Sequence, residues 1–211
     1  RPYLAGIPWS VIPDRSTAFA YLRSGQLHLW DVIDGVDARR AERDFGDRVF
    51  VQSGVSYTGD PFTINTRREP FGDIRVRQAL ALAVDHEEAV KVVVQGDGVV
   101  AGMMPETPWG MSREELAASV AGYGPDIEAN RAQARQLLAD AGFADGFDTT
   151  ITVRKATGTQ EPRAVFLADQ FAKIGVRAKL DIKETAVYFE TVRGGNFDIA
   201  TTLISSLVND P

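Results

Sequence analysis

The chain has 211 residues, is 44% hydrophobic and 25% charged, and carries 23 Lys and Arg against 29 Asp and Glu, a formal net charge of -6. This is an ordinary globular composition on a chain long enough for a sizeable core, and its acidic balance argues against a general nucleic-acid binder. The lack of cysteine excludes disulfides, thiolate metal sites and cysteine nucleophiles, and no apolar run approaches the roughly 18 residues of a membrane-spanning helix.

Residues 1–53 alternate short apolar runs with helical patterns. Three of these runs predict strands, which we place at residues 7–12, 27–32 and 48–52. Asp14 is a helix N-cap and Gly25 a helix stop, so the segment between them is predicted to be helical. A charged helix is predicted over residues 37–44, and we interpret the small, permissive pair at residues 53–54 as a linker.

A strand and two abutting helices are predicted in the next part of the chain. Residues 57–64 have strand character, and Pro61 marks an edge or a break in that strand. Asp73 and Asp85 each stand where an N-cap acceptor belongs, just before a helical pattern of apolar residues. Glu88 completes the spacing of a capping box with Asp85.

The remainder of the chain predicts a long loop followed by an α/β pattern. Residues 99–125 show little periodicity and carry three prolines, and long loops in compact domains tend to be functional. Asn130 is predicted to cap a helix over residues 131–141. The pattern then alternates strands at 149–154, 176–182 and 197–204 with helices at 161–174 and 185–193, and the second of these helices is predicted to turn Tyr188, Phe189 and Val192 inward. This order argues for parallel strands with right-handed crossovers, and therefore for an α/β fold.

The motifs for catalysis and metal binding are incomplete. His86 begins a zinc-protease pattern, but Val90 stands where the second histidine belongs, and two histidines in the whole chain cannot build a His-rich metal site. The glycine at residue 158 lacks the spacing of a phosphate loop, and no GxSxG elbow occurs. We therefore predict no catalytic residue, no metal and no cofactor. An α/β enzyme domain stays open as an alternative, because acid–base sites can be anonymous in sequence.

One stretch of the chain carries a family resemblance. The string Asn-Thr-(x)4-Phe-x-Asp-x-Arg-Val-Arg-Gln-Ala-Leu-x-x-Ala-Val-Asp, at residues 65–85, resembles the signature of the family 5 extracellular solute-binding proteins. These are the oligopeptide-, dipeptide- and nickel-binding receptors of bacterial ABC importers. Three further stretches resemble the same family in the same order, namely residues 11–17, 134–143 and 168–176. Four collinear matches indicate common ancestry but do not identify the ligand.

The resemblance implies a fold and a domain organisation. It implies part of a two-lobed fold like that of the type II periplasmic binding proteins, with a mixed sheet and flanking helices. Because members of the family are commonly more than twice this length, we expect a fragment. Residues 1–53 would belong to the first lobe, and residues 54–211 would form much of the second lobe, incomplete at its C-terminal side.

Arg154 is the principal candidate for a ligand-binding residue. It ends a predicted strand, and the ligands of open α/β sheets collect at the carboxyl ends of strands. The resemblance implies that an arginine in this strand pairs with a ligand carboxylate, a role that suits the guanidinium fork. Tyr57 and Trp109 are predicted to line the cleft as flat apolar walls. The alternative for Arg154 is a solvated charge at the end of a strand. The alternative for Tyr57 and Trp109 is that they are packed aromatic anchors.

The C-terminal residues Leu207, Asn209 and Asp210 are also candidates for ligand binding. In relatives of this family, an acidic pocket residue that holds a peptide amino terminus precedes a turn ending in Asp-Pro or Glu-Pro. Asp210 and Pro211 match the turn, whereas Leu207 falls near the acidic position. This departure predicts weak binding of ordinary di- and tripeptides and favours a ligand with a blocked, absent or sugar-like end.

The function implied by the resemblance is that of the substrate-capturing component of an ABC-type importer. Such a protein binds a small molecule or peptide between two lobes, performs no chemistry on it and delivers it to a membrane permease. We expect a monomer without a nucleic-acid partner, at the periplasmic or extracellular face, with a lipid anchor in the full-length protein as one option. A ligand-sensing module that feeds a receptor is the second alternative, beside the α/β enzyme.

Overall fold

The chain forms two compact units, residues 1–53 and residues 54–211. The computed structural model describes residues 3–31, 33–54, 58–59, 61–107, 110–155, 159–202 and 204–205, with only the backbone at 58, 204 and 205. In the part of the chain so described, no helix combines the length and apolar character that a membrane crossing requires.

The first unit contains two capped helices around a small core. Helix α1 (Arg15–Ser24) begins at Asp14, whose Oδ1 accepts the backbone N–H of Thr17 at 2.7 Å, and it ends at Gly25 with φ 74°. Both ends agree with the prediction. Helix α2 (Gly35–Phe45) confirms the predicted charged helix and leads into a 3-10 turn at Gly46–Arg48. The core of the unit consists of Phe19, Ala41 and Phe45, flanked by Leu22, Trp30 and Val49.

The three strands predicted in residues 1–53 are wrong. The described residues of the runs at 7–12, 27–32 and 48–52 form no strand, and Ile7, Trp9 and Val11 remain 67–94% exposed. Alternating apolar residues favour an extended backbone, but a strand also requires a neighbour that completes its hydrogen-bond ladder. No described residue of this unit supplies such a neighbour.

The second unit is built on a four-stranded mixed sheet in the order β2-β5-β3-β4. The strands of the unit are β1 (Thr58–Gly59), β2 (Phe62–Ile64), β3 (Phe147–Arg154), β4 (Val176–Lys183), β5 (Ile199–Thr201) and β6 (Ile204–Ser205). Strand β3 runs parallel to both β4 and β5, which confirms the predicted parallel pairing. Strand β2 is antiparallel to β5, and β1 pairs with β6 in a separate two-stranded ladder. The predicted strand at 57–64 is therefore broken at Pro61.

Six helices are described in the second unit: α3 (Ile74–Ala83), α4 (His86–Val92), α5 (Arg113–Ser119), α6 (Ile127–Asp140), α7 (Gln160–Ala172) and α8 (Thr185–Arg193). The predicted caps are confirmed, because the side chain of Asp73 accepts the N–H of Arg75 and that of Asp85 accepts the N–H of Glu88. The Glu88 carboxylate does not complete the box and instead accepts a hydrogen bond from Gln170.

Two predictions between α4 and β3 are wrong. Helix α6 begins at Asp126, whose Oδ1 accepts the N–H of Ala129 at 3.0 Å, so Asn130 lies inside the first turn and is not the cap. The predicted loop at 99–125 contains α5, a helix with a full capping box between Ser112 and Glu115. A helix of seven residues is too short to produce a clear helical period in the sequence.

The core of the second unit lies on one face of the sheet, beneath α3, α6 and α7. Its fully buried side chains come from these helices, from the strands and from the loop before α3, and they include Phe71, Val76, Leu80, Leu138, Ile151, Val153, Phe171 and Ile199. Helix α8 contributes a buried Tyr188, whose hydroxyl donates to the backbone oxygen of Thr201 in β5. This bond holds α8 to the sheet at the end of a strand.

Candidate functional site

The carboxyl ends of β3 and β4 lie side by side, because Arg154 is in register with Lys183. The two strands lead to helices on opposite faces of the sheet. Val153 packs in the core with residues of α7, so the next side chain, Arg154, points to the other face. There it lies against Phe189 of α8. Adjacent strands whose connections leave toward opposite faces create a crevice at the carboxyl edge of the sheet, where ligands of open α/β sheets bind.

Arg154 has no ionic partner among the described residues. It is half-buried, and its guanidinium carbon lies 5.7 Å from the centre of the Phe189 ring. By contrast, Lys155 donates to Glu184 at 2.8 Å, a bond that raises the pKa of the Lys155 ammonium, and Lys183 pairs with Asp181 at 2.9 Å. The guanidinium of Arg154 therefore keeps donors available for an anion.

Phe189 is a site residue that sequence reasoning placed wrongly. The helical pattern predicted that Phe189 points inward with Tyr188, yet its side chain is 40% exposed while Tyr188 is 5% exposed. The two rings pack edge to face at 5.4 Å, so Tyr188 fills the space beneath α8 and leaves Phe189 at its margin. The exposed ring beside Arg154 gives the edge a flat apolar surface next to a cation.

The signature stretch at residues 65–85 has a structural role in the described residues. The side-chain amide of Asn65 donates to the backbone oxygens of Gly195 and Phe197, both at 2.9 Å. Arg68 pairs with Asp198 at 2.8 Å. These bonds join the loop before α3 to the turn between α8 and β5. The signature thus fixes the helix that carries Phe189.

The other predicted site residues lie outside the described residues. They are Tyr57, Trp109, Leu207, Asn209 and Asp210. Their places in the site stay predictions, and Arg154 is the one candidate whose surroundings the structure describes. Among the described residues, no group of three or more His, Cys, Asp or Glu side chains could hold a metal ion.

A cavity of about 170 Å³ lies between the start of α4 and the segment that precedes α6. His86 stacks on Tyr123 there, with ring centroids 4.1 Å apart, and the Tyr123 hydroxyl donates to the backbone oxygen of Ala101 at 3.0 Å. Burial lowers the pKa of His86, and an ion pair between Arg113 and Glu87 closes the rim of the cavity. This arrangement fastens the 99–125 segment to α4.

The fold is that of periplasmic binding proteins, and a family model identifies the family. A model of the "Bacterial extracellular solute-binding proteins, family 5 Middle" matches residues 1–211, and the chain belongs to this family. The resemblance seen at residues 65–85 and the predicted fold class are thereby confirmed.

Individual relatives and solved structures that match the chain are also binding proteins. The chain is 31% identical to the oligopeptide-binding protein AppA of Bacillus subtilis over 94% of its own length and 37% of that protein. It is 30% identical to heme-binding protein A of Haemophilus influenzae over 88% of its length and 33% of that protein. The structure of the periplasmic binding protein DppA from Helicobacter pylori, in complex with the peptide STSA, matches with a TM-score of 0.75 and 25% identity. That match covers 95% of this chain and 37% of DppA. The chain thus spans about a third of the length of these relatives.

Proposed function

We propose that the chain supplies one wall of the ligand cleft in the substrate-capturing component of an ABC-type importer. The observation that carries this proposal is Arg154, a guanidinium without an ionic partner among the described residues, at the carboxyl edge of an α/β sheet. The family supports the transport role, because its relatives are named as binding proteins and one of the matched structures holds a bound peptide.

The proposed mechanism is capture without chemistry. An anionic group of the ligand pairs with the Arg154 fork, which presents several N–H donors in fixed geometry. Residues 1–53 belong to the first lobe and residues 54–211 to the second, and hinge closure of the two lobes buries the ligand. The closed form is then recognised by a membrane permease. We assign the protein no enzymatic activity, and we place it as a monomer at the periplasmic or extracellular face.

The proposed ligand is a small anionic molecule, peptide-like or otherwise, whose opposite end carries no ammonium. A peptide amino terminus loses its hydration when a cleft closes, so the pocket must offer a carboxylate. If Leu207 faces that end, the unpaired charge costs several kcal/mol, which is a large part of the roughly 8 kcal/mol of a micromolar affinity. Relatives named for oligopeptides and for haem are consistent with a family whose pockets differ.

The test is calorimetry on the full-length protein with peptides chosen from a thermal-shift screen that contains free and N-acetylated forms of the same sequences. Replacing Arg154 with alanine should weaken the best anionic binder by about 1.5–3 kcal/mol, the value of a charge-assisted hydrogen bond. Arg67→Ala is the matched control, because the exposed Arg67 side chain makes no polar contact with a described residue. An unchanged dissociation constant in Arg154→Ala removes Arg154 from the site. Micromolar binding of free dipeptides refutes the role given to Leu207.

A further inference from the structure

Two arginines share one exposed aromatic ring beside the proposed site. The guanidinium carbons of Arg154, at the end of β3, and of Arg193, at the end of α8, each lie 5.7 Å from the centre of the Phe189 ring. The two charges are therefore no farther apart than twice that distance. Phe189 and Arg193 are one helical turn apart on α8, which places both side chains on the same face of the helix.

Neither arginine is paired with an anion within the ranges that the structure describes. Most other arginines of residues 54–211 donate to a carboxylate, a carboxamide or a backbone carbonyl, as Arg68, Arg75, Arg77, Arg131, Arg135 and Arg177 do, with Arg67 as an exception. Arg154 and Arg193 contact only the Phe189 ring there. A guanidinium that lies on a ring face keeps the N–H donors along its edge for another partner.

The pair is a concentration of positive charge on a chain that is acidic as a whole. The formal net charge is -6, yet two cations that have no carboxylate partner among the described residues lie beside the same aromatic ring. Like charges at such a distance repel each other, and an anion that contacts both relieves the repulsion. The ring between them is 40% exposed, so the part of the ligand that joins its charges meets an apolar surface.

We propose that Arg154, Phe189 and Arg193 form a single subsite for a ligand end that carries two carboxylates joined by a short apolar spacer. An acidic residue at the carboxyl terminus of a peptide and a free dicarboxylate both have this chemistry. One carboxylate pairs with Arg154, the second pairs with Arg193, and the spacer lies against Phe189. The inference rests on the proposed function, because Arg154 is the anion-binding residue of that proposal, and it adds the requirement for a second negative charge.

The experiment is a nuclear magnetic resonance titration of the full-length protein with selectively ¹⁵N-labelled arginine side chains. The probes are sodium glutarate, which has two carboxylates on a three-carbon spacer, and sodium butyrate, which has the same spacer and one carboxylate. Both are added at constant ionic strength, so that screening does not change. Variants in which a single arginine is replaced assign the Nε–Hε signals of Arg154 and Arg193.

Glutarate should shift both signals together and bind at least tenfold more tightly than butyrate, which should shift Arg154 alone. Arg193→Gln should remove the preference for glutarate and leave the butyrate response of Arg154 intact. Arg67→Gln, at an exposed arginine outside the subsite, should leave the preference unchanged. Equal affinities with a responding Arg154 overturn the two-charge subsite and leave the proposed function standing. Failure of both probes to shift Arg154 overturns both proposals.

Discussion

Gln170 is a buried glutamine whose carboxamide joins three helices, and its replacement should destabilise the second unit. The side chain is fully buried in α7. Its oxygen accepts the backbone N–H of Asp85 at 3.1 Å and Nη2 of Arg131 at 2.8 Å. Its nitrogen donates to Glu88 at 3.0 Å and to Asp169 at 3.1 Å. One carboxamide therefore connects the start of α4 and helix α6 to α7.

The free energy of unfolding lost in Gln170→Met depends on the groups whose hydrogen-bond partner the substitution removes. Methionine has a similar length and keeps the core filled, so the main loss is hydrogen bonding. The side chains of Glu88 and Asp169 are 42% and 61% exposed and regain bonds to water. The Asp85 N–H and the Arg131 guanidinium regain fewer hydrogen bonds to water, and the Arg131 side chain is only 9% exposed. A neutral bond of 0.5–1.5 kcal/mol and a charged one of 1.5–3 kcal/mol give a loss of about 2–4.5 kcal/mol.

Thermal unfolding followed by far-UV circular dichroism measures this loss. At 2–4 °C per kcal/mol for a chain of this size, the Tm should fall by about 4–18 °C. Gln136→Met is the matched control, because Gln136 lies exposed on α6 and donates only to Asp140, so its loss should stay within about 0.5 kcal/mol. The reasoning is refuted if the two substitutions lower the Tm equally.

Two further predictions concern the attachment of the 99–125 segment and the approach of two strands. Burial lowers the pKa of His86 in the folded state below its unfolded value of about 6.5. The stack of His86 on Tyr123 therefore contributes its full stability above about pH 6.5, and this contribution is lost as the pH falls from there through the pKa of the folded state. The protection factors of hydrogen exchange across 99–107, which correct for the intrinsic pH dependence of the exchange rate, should therefore fall between pH 7 and pH 5 in the native chain but not in His86→Phe. An equal fall in both would contradict this role for His86. Gly146→Ala should lower the free energy of unfolding in urea by more than about 2 kcal/mol, because φ is +72° and the new Cβ would lie 1.8 Å from a backbone oxygen. Gly124→Ala is the control and should lower it by less than about 1 kcal/mol, because Gly124 has open space around it and no positive φ. Similar losses for the two glycine variants would refute the steric argument.

The sequence correctly predicted the structural features that depend on a few neighbouring residues. Asp14, Asp73 and Asp85 cap helices as expected, because an N-cap needs only a side-chain acceptor and two or three following N–H groups. The alternation after residue 149 predicted the parallel strands, since each buried strand and amphipathic helix carries its own period. The cap predicted at Asn130 was wrong, because Asp126, four residues earlier, is an equally good hydrogen-bond acceptor and caps the helix instead.

Features that depend on distant partners were not predictable. The apolar runs before residue 53 have the composition of strands, but no local pattern specifies a hydrogen-bonding neighbour. The position of Arg154 at the carboxyl end of a strand could be predicted, whereas the exposure of Phe189 depends on how α8 lies against β5. The meeting of Arg193 with Arg154 likewise requires a helix and a strand to come together across the sheet.

Native mass spectrometry of the full-length protein purified from its host tests the central claim most directly. The proposal predicts one small anionic molecule retained per protein, released chemically unchanged on denaturation, and absent or strongly depleted in Arg154→Ala. The matched variant Arg67→Ala should retain it. Equal retention in the native protein and in Arg154→Ala would contradict the assignment of the site. Release of a chemically altered molecule would contradict the assignment of a binding protein that performs no chemistry.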